Sequence, residues 1–552
     1  MKVFNLCKPF IFGEKKRMLA YISFTLFSSI IGVVFPLFTG SFIDVLVSGN
    51  DVTYLFKYCI MLILLSSLNV VLGYTINILY AKLQSTAGYN FNTFILNHVK
   101  KLPVTFFKNQ NTVYLNQRIN NDANNIIIFC INIISNLIIN FIIIVFTSYI
   151  LVKSNYKIAL LLMVLISIYA LTYKYLRKPL FRRSMEHREA QNHFFASLNE
   201  QLFNVGFIKS HSSNQIFENR LNNSFKTLLT KVLSYQKMSY IFTGFDNITS
   251  TMAQVLIYIL GGIEVFKGNL TIGLFTVLIN YFNMLMGAAR YFFNLGKTYQ
   301  DSLVSHERIV ELLNKEEQPD GSEMVDNINN IELKNINFKY DGNYVVENLS
   351  LEFQKGFIYC ITGENGSGKS TIINLILGLH INEYSGDIFY NGQNIKEINL
   401  VHSRMNNIGF TEQEPVLFED SILNNIIMGK QADLLRTPIE ILITYFNMLE
   451  CIERQPDGLH TIINDQSNNL SGGEKQKLSI IRQLLKNPDV LIFDEPSSAL
   501  DLRSTILFMD YLDKLKSNKI IIIVSHDDIV LNAADKLIKV SNSTKASKKL
   551  TS

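Results

Sequence analysis

Four short stretches carry residues whose types and spacing can do phosphate chemistry. In IYCITGENGSGKSTIINLILGL, Gly363, Gly368, Lys369 and Ser370 fall in the P-loop spacing, between a strand-like run and a helical one. Such a turn lets the backbone N–H groups of Glu364, Asn365, Gly366, Ser367 and Gly368 wrap a β-phosphate. Lys369 then reaches the β/γ oxygens, and Ser370, with Thr371 beside it, offers a hydroxyl to Mg²⁺. In DVLIFDEPSSALD an apolar run ends in two acids. Asp494 stands where a carboxylate holds Mg²⁺ through water. Glu495, on the other side by strand alternation, can orient and deprotonate a water as general base. IIIIVSHDD ends in His526, at a strand's carboxyl end, where α/β proteins place ligand contacts. In LSGGEKQKLS, Ser471, Gly472 and Gly473 open a helix whose bare N–H groups attract an anion, with no nucleophile, metal cluster or general base nearby.

These groups need a scaffold, and the chain supplies two kinds. From Ile331, IELKNINFKY alternates like a strand, and the remainder to 552 reads as a soluble α/β P-loop NTPase domain. The polar stretch NKEEQPDGSE opens a linker over 314–330. Residues 1–313 read as a membrane α-helical domain. Six apolar stretches, near 18–44, 54–82, 126–152, 157–176, 241–266 and 271–296, have the length of membrane spans. The long connections after the second and fourth carry the basic charge, including Lys100, Lys101, Arg118, Arg182 and Arg183. The positive-inside rule places them, the N-terminus and the C-terminal domain in the cytosol. SMEHREAQNHFFASLNEQLFN keeps helical periodicity, so spans two to five are expected to continue into the cytosol as helices.

Composition narrows the classes further. A 48% hydrophobic chain of 552 residues exceeds the length of one domain, and its mean hydropathy of +0.18 is high for a soluble protein. A net charge of +5 is too mild to imply nucleic acid. Cys7, Cys59, Cys130, Cys360 and Cys451 are scattered without a CxxC pair, which argues against a zinc site or a disulfide framework. The basic N-terminus precedes a long span with no small-residue cleavage site, so no cleavable signal peptide is expected.

Together these residues resemble an ATP-binding cassette (ABC) exporter half-transporter over nearly the whole chain. LSGGE matches the family signature, with Glu474 where Gln is usual; GFTEQEPVLFEDSILNNI resembles the Q-loop region. The resemblance makes Gln413 a Mg²⁺ and water contact, Tyr340 in FKYDGNYVVENLSLEF the ring stacked on adenine, and His526 the switch histidine. SSALD resembles the D-loop, Ser498–Asp501, and Asp465 stands in for an acid usual before the signature. LPVTFFKNQNTVYLNQRINND and GFIKSHSSNQIFENRL resemble the two coupling loops. In this family the signature of one nucleotide domain caps the phosphate held by another. The resemblance therefore implies ATP and Mg²⁺ as cofactors and a homodimer, with a heterodimer open.

The expected function is ATP-driven export across a bacterial cytoplasmic membrane by alternating access. A lipid or multidrug exporter is the alternative; an ATP-gated channel or receptor is a reading of another class. The stretches expected to span a membrane argue against a ribosome-binding cassette ATPase, and the exporter-like coupling loops against an importer. Polar residues among the apolar ones (Asn132, Asn136, Asn140, Asp246, Asn280, Asn283 and Arg290) fit either a cavity or glue between helices. A polar cavity suits a peptide or amphiphile, and a peptide is the expected cargo. No peptidase-like region precedes the first apolar stretch, which disfavours the leader-cleaving peptide exporters.

Overall fold

Long apolar runs with few breakers make the first part of the chain helical. The computed structural model describes residues 2–49, 52–108, 115–116, 118–154, 156–340, 342–430, 432–463 and 470–541. Asp465 lies outside them. The chain divides into two units, Met1–Val99 with Val113–Asn314, and Lys100–Thr112 with Lys315–Ser552.

The first unit is built from the helices Lys2–Phe12, Lys15–Ser48, Val52–Val99, Ala123–Ser154, Tyr156–Phe203, Asn214–Phe266 and Ile272–Leu313, with a short helix at Val205–Ser210. Val52–Val99 has 48 residues, so it is about 72 Å long, more than twice a ~30 Å hydrocarbon core. Among the described residues five helices are long and apolar enough to cross a membrane: Lys15–Ser48, Val52–Val99, Arg118–Ser154, Asn214–Phe266 and Ile272–Leu313. The expected fourth stretch falls in Tyr156–Phe203, where many side chains lie outside the described set.

Small residues and paired polar groups hold these helices together. Gly40 and Gly273 let the first and last apolar helices touch backbone to backbone: a Cβ on Gly273 would sit 2.0 Å from the Gly40 carbonyl oxygen. Just beyond, Asp44 accepts hydrogen bonds from the Gly273 N–H and the Thr271 hydroxyl, each 2.7 Å, and so caps the start of the last helix. The buried Tyr281 hydroxyl donates to the Val33 carbonyl at 2.8 Å. Asp246 and Arg290 pair at 3.1 Å, which offsets the cost of charge in apolar helices. Arg118 donates at 2.6 Å to the Arg308 carbonyl and to Glu311, fastening the helix start near 118 to the last helix.

The second unit contains strands β1 Asn330–Tyr340, β2 Asn343–Gln354, β3 Ile358–Gly363, β4 Tyr384–Tyr390, β5 Gln393–Asn394, β6 Ile408–Thr411, β7 Asp420–Ser421, β8 Ile462–Ile463, β9 Val490–Asp494, β10 Ile520–Val524 and β11 Lys536–Val540. β1, β2, β4 and β5 form an antiparallel sheet in the order β2-β1-β4-β5. β11-β3-β10-β9-β6 form a parallel one. β9 and β10 are buried throughout, as a parallel sheet covered on both faces requires. Their alternation divides two cores. Ile520, Ile522 and Val524 pack with Ile361 and Ile492, whereas Ile521 and Ile523 pack with Cys360 and Phe493. Each such side chain contributes about 1.5–3 kcal/mol.

Candidate functional site

Parallel order brings the chemistry together. β10 lies between β3 and β9, so the carboxyl ends at Gly363, Asp494 and Val524 sit side by side, and β6 beyond β9 leads to Gln413. The loop after β3 needs its glycines. Gly366 and Gly368 have φ of +80° and +97°, where a side chain is strained. Gly368 is the left-handed N-cap of the helix Lys369–Ile376, with no side-chain cap, so the first N–H groups remain available to an anion. Among the described residues the buried Ser367 hydroxyl has no hydrogen-bond partner. Lys369, also buried, donates to the Gly363 and Glu364 carbonyl oxygens at 2.8 and 3.1 Å, holding its ammonium over the loop. Orphaned donors and a cation around one concavity fit a polyphosphate.

Asp494 and Glu495 occupy different environments. Burial pushes the Asp494 carboxyl above the usual carboxylate range, and the Glu495 charge adds to the rise; the Ser370 hydroxyl and Lys369 oppose it. Asp494 and Ser370 together offer the hard oxygen donors that suit a Mg²⁺ completed by phosphate and water. Among the described residues no cluster of three or more His, Cys, Asp or Glu could hold a metal ion alone. Glu495 is not turned by strand alternation as the sequence suggests. Its φ is +46°, so the chain leaves β9 through a left-handed residue, while its N–H donates to Val524 at 2.9 Å. A non-glycine residue there costs about 1–3 kcal/mol, and such strain concentrates at active sites. Gln413 donates to the Glu495 carboxylate at 2.8 Å. His526 is exposed just past β10.

Ser471 is the N-cap of the helix Gly472–Lys486 and forms a reciprocal capping box with Glu474. Glu474 accepts from the Ser471 N–H at 2.6 Å and pairs with Arg454 at 2.8 Å. Burial raises the Glu474 carboxyl, but Ser471, Cys451 and Arg454 outweigh it and leave it below the usual range. Gly472 and Gly473 follow at the helix start, where a Cβ on Gly473 would meet the Ala499 carbonyl at 2.7 Å. Asp501 caps the next helix, Leu502–Leu515, by accepting from Ser504 at 2.7 Å.

Tyr340 ends β1, in the antiparallel sheet rather than the parallel one that leads to the two acids. Its hydroxyl is 3.1 Å from Nε2 of His380, whose Nδ1 is 2.6 Å from Glu383. Glu383 accepts from Thr105 at 2.5 Å, in the short helix Val104–Lys108 of the first coupling segment. Sequence reasoning missed His380 and Glu383, which no spacing rule ties to Tyr340. The second coupling segment forms the helix Val205–Ser210 in the other unit.

Known proteins share these features. The ABC transporter transmembrane region family matches residues 18–289, and the ABC transporter family matches residues 346–498. A Bacillus subtilis relative named for multidrug export, the ATP-binding/permease protein YgaD, is 27% identical over 83% of this chain and 79% of its own. An ATP-dependent lipid A-core flippase of Photobacterium profundum is 24% identical over 82% of this chain and 78% of its own. A solved bacterial Atm1-family ABC exporter with ATP bound superposes with a TM-score of 0.82 at 19% identity, covering 97% of this chain and 94% of that one. With its membrane region fused to an ATP-binding region, the chain belongs to the ABC transporters and is an ATPase coupled to transport, with an exporter-type fold.

Proposed function

We propose that two copies of this chain export an amphiphile, of lipid or drug type, across a bacterial cytoplasmic membrane at the expense of ATP. The observation that carries this reading is the gathering of the Lys369 loop, Asp494 and Glu495 at the carboxyl ends of one parallel sheet, in a chain with five long apolar helices among the described residues. The relatives named for multidrug export and for lipid A-core flipping favour such cargo over the expected peptide.

The mechanism follows from the side chains. Gly363–Thr371 receives the phosphates on backbone N–H groups and Lys369, and Tyr340 offers its ring to the adenine. Ser370, Asp494 and Gln413 would hold Mg²⁺, which supplies charge neutralisation at the β/γ oxygens. Glu495 takes the proton of the attacking water, kept in place by Gln413. His526, beside it at the sheet edge, contacts the terminal phosphate. Ser471, Gly472 and Gly473 of the partner copy cap that phosphate from the other side. Closure of the two copies passes to the membrane helices through the coupling segments. Phe203 and Phe207, 91% and 55% exposed beside the second segment, suit contact with a second copy.

In inside-out membrane vesicles, a fluorescent lipid or amphiphilic dye is expected to accumulate with ATP, and not in Glu495→Gln. Accumulation of a labelled peptide alone would overturn the cargo assignment.

The cap carries a further expectation. Glu474 puts a negative charge where an anion must dock, and Arg454 offsets it. Arg454→Ala is expected to raise the ATP concentration for half-maximal turnover roughly two- to fivefold, the scale of an exposed ion pair. Glu474→Gln, which keeps the capping box, should restore it in the double variant. Unchanged ATP dependence in Arg454→Ala would refute the anion's approach to this helix.

A further inference from the structure

Within the first unit, a cavity of about 490 Å³ opens between the helices Lys15–Ser48, Val52–Val99, Arg118–Ser154 and Ile272–Leu313. That volume lies in the range of small-molecule sites, ~300–1,000 Å³. Ser28, Asn69, Asn77, Asn132, Ser135 and Asn136 line it, and among the described residues no charged side chain does. Two kinds of polar group are present. Ser28 donates to Asn69 at 2.9 Å, and Asn77 to its own helix at 2.9 Å, so each of these has a partner within the protein. The side-chain amides of Asn132 and Asn136 line the same cavity and make no hydrogen bond to another described residue. Asn140, one turn on, is buried, donates back to the Asn136 carbonyl at 2.7 Å, and does not line the cavity. Of Asn132, Asn136 and Asn140, the first two therefore offer free donors and acceptors, and the third bonds back to its own helix. On the same wall, Ile139 and Met284 give an apolar flank.

We propose that this cavity recognises the uncharged, hydroxyl- or amide-bearing head of an amphiphile, hydrogen-bonded by Asn132 and Asn136, with the apolar part along Ile139 and Met284. This rests on the exporter reading and narrows its substrate class. A lining of amides and hydroxyls satisfies a neutral polar head on all sides. It offers no counter-ion, so an ionised phosphate or ammonium entering it remains unpaired in a low-dielectric site. Asn is both donor and acceptor, which matches hydroxyls and amides in either orientation. The positions on the first two long helices lie toward the end that the basic N-terminus marks as cytosolic, so the head enters from the inner leaflet.

The test uses the full-length protein in lipid nanodiscs with three probes of the same acyl chains: a monoglucosyl diacylglycerol, an anionic phosphatidylglycerol and a cationic quaternary ammonium lipid. Direct binding and stimulated ATPase are measured for each. The glucosyl lipid is expected to bind tightest. Asn132→Leu and Asn136→Leu are expected to weaken it roughly three- to thirtyfold, the scale of membrane hydrogen bonds. Asn136→Gln, which keeps an amide, should recover much of the loss. Asn280→Leu, whose amide bonds its own helix at Thr276 and lies outside the cavity, should leave the affinity unchanged. A thermal unfolding midpoint near wild type in Asn136→Gln separates recognition from assembly. Tighter binding of either charged probe, or equal glucosyl-lipid binding in wild type and both Leu variants, would overturn the assignment. ATPase stimulated by a charged probe under those outcomes would leave the exporter reading standing; stimulation by no probe would count against that too.

Discussion

Glu495→Gln is expected to lower ATP turnover about a hundred- to ten-thousand-fold, the range of a positioned general base, while ATP still binds. The amide is nearly isosteric and can still accept from Gln413, which now donates to the carboxylate at 2.8 Å. It cannot take a proton from water. The left-handed backbone of Glu495, φ +46°, is unchanged by the substitution, so the side chain keeps its direction. Single-turnover hydrolysis and nucleotide binding measured on the same protein separate the two steps. Turnover within a few-fold of wild type would assign the base to another group.

Lys369→Ala is expected to weaken ATP binding about ten- to a hundredfold, because a charge-assisted hydrogen bond is worth about 1.5–3 kcal/mol. The ammonium now satisfies the Gly363 and Glu364 carbonyls, so its removal also loosens the loop. Lys369→Arg keeps the charge but replaces a compact ammonium with a planar fork. If the loop alone were at fault, both variants would melt lower and bind ATP in proportion. Equilibrium binding with a fluorescent ATP analogue, read beside the unfolding midpoint, decides. Wild-type affinity in Lys369→Ala would remove the lysine from the phosphate site.

What the sequence made legible was local. The Gly363–Ser370 spacing, the apolar runs of β9 and β10 and the helix start at Ser471 are each written within a few neighbouring residues, and the structure forms those elements there. Parallel strands are buried on both faces, so an unbroken run such as IIIIV is itself the signal. The rest depends on contacts between distant residues. His380 and Glu383 join Tyr340 to Thr105 across separations that no period reports. Glu495 leaves its strand through a left-handed residue, which a two-residue alternation cannot foresee. Asp44 caps the helix at Gly273, and Arg454 neutralises Glu474, through tertiary packing alone. Among the apolar helices, the polar spacing marked Asn132, Asn136 and Asn140 alike. Only the structure separates the two that line a cavity from the one that bonds to its own helix.

Each nucleotide is expected to be held between two copies of this chain. One copy carries Ser471→Cys and a first tag, the other Asn365→Cys and a second tag. Asn365 is chosen because it is exposed beside Gly366, whose positive φ resists a side chain. Both are made in a Cys59→Ser background, since Cys59 is exposed and the other four cysteines are buried. The two proteins are co-expressed, purified together and oxidised with and without ATP and vanadate. A disulfide-linked product bearing both tags is expected to form with ATP and vanadate and poorly without them. No disulfide joining the two tags with ATP and vanadate, in a co-purified pair that still binds ATP, would contradict it.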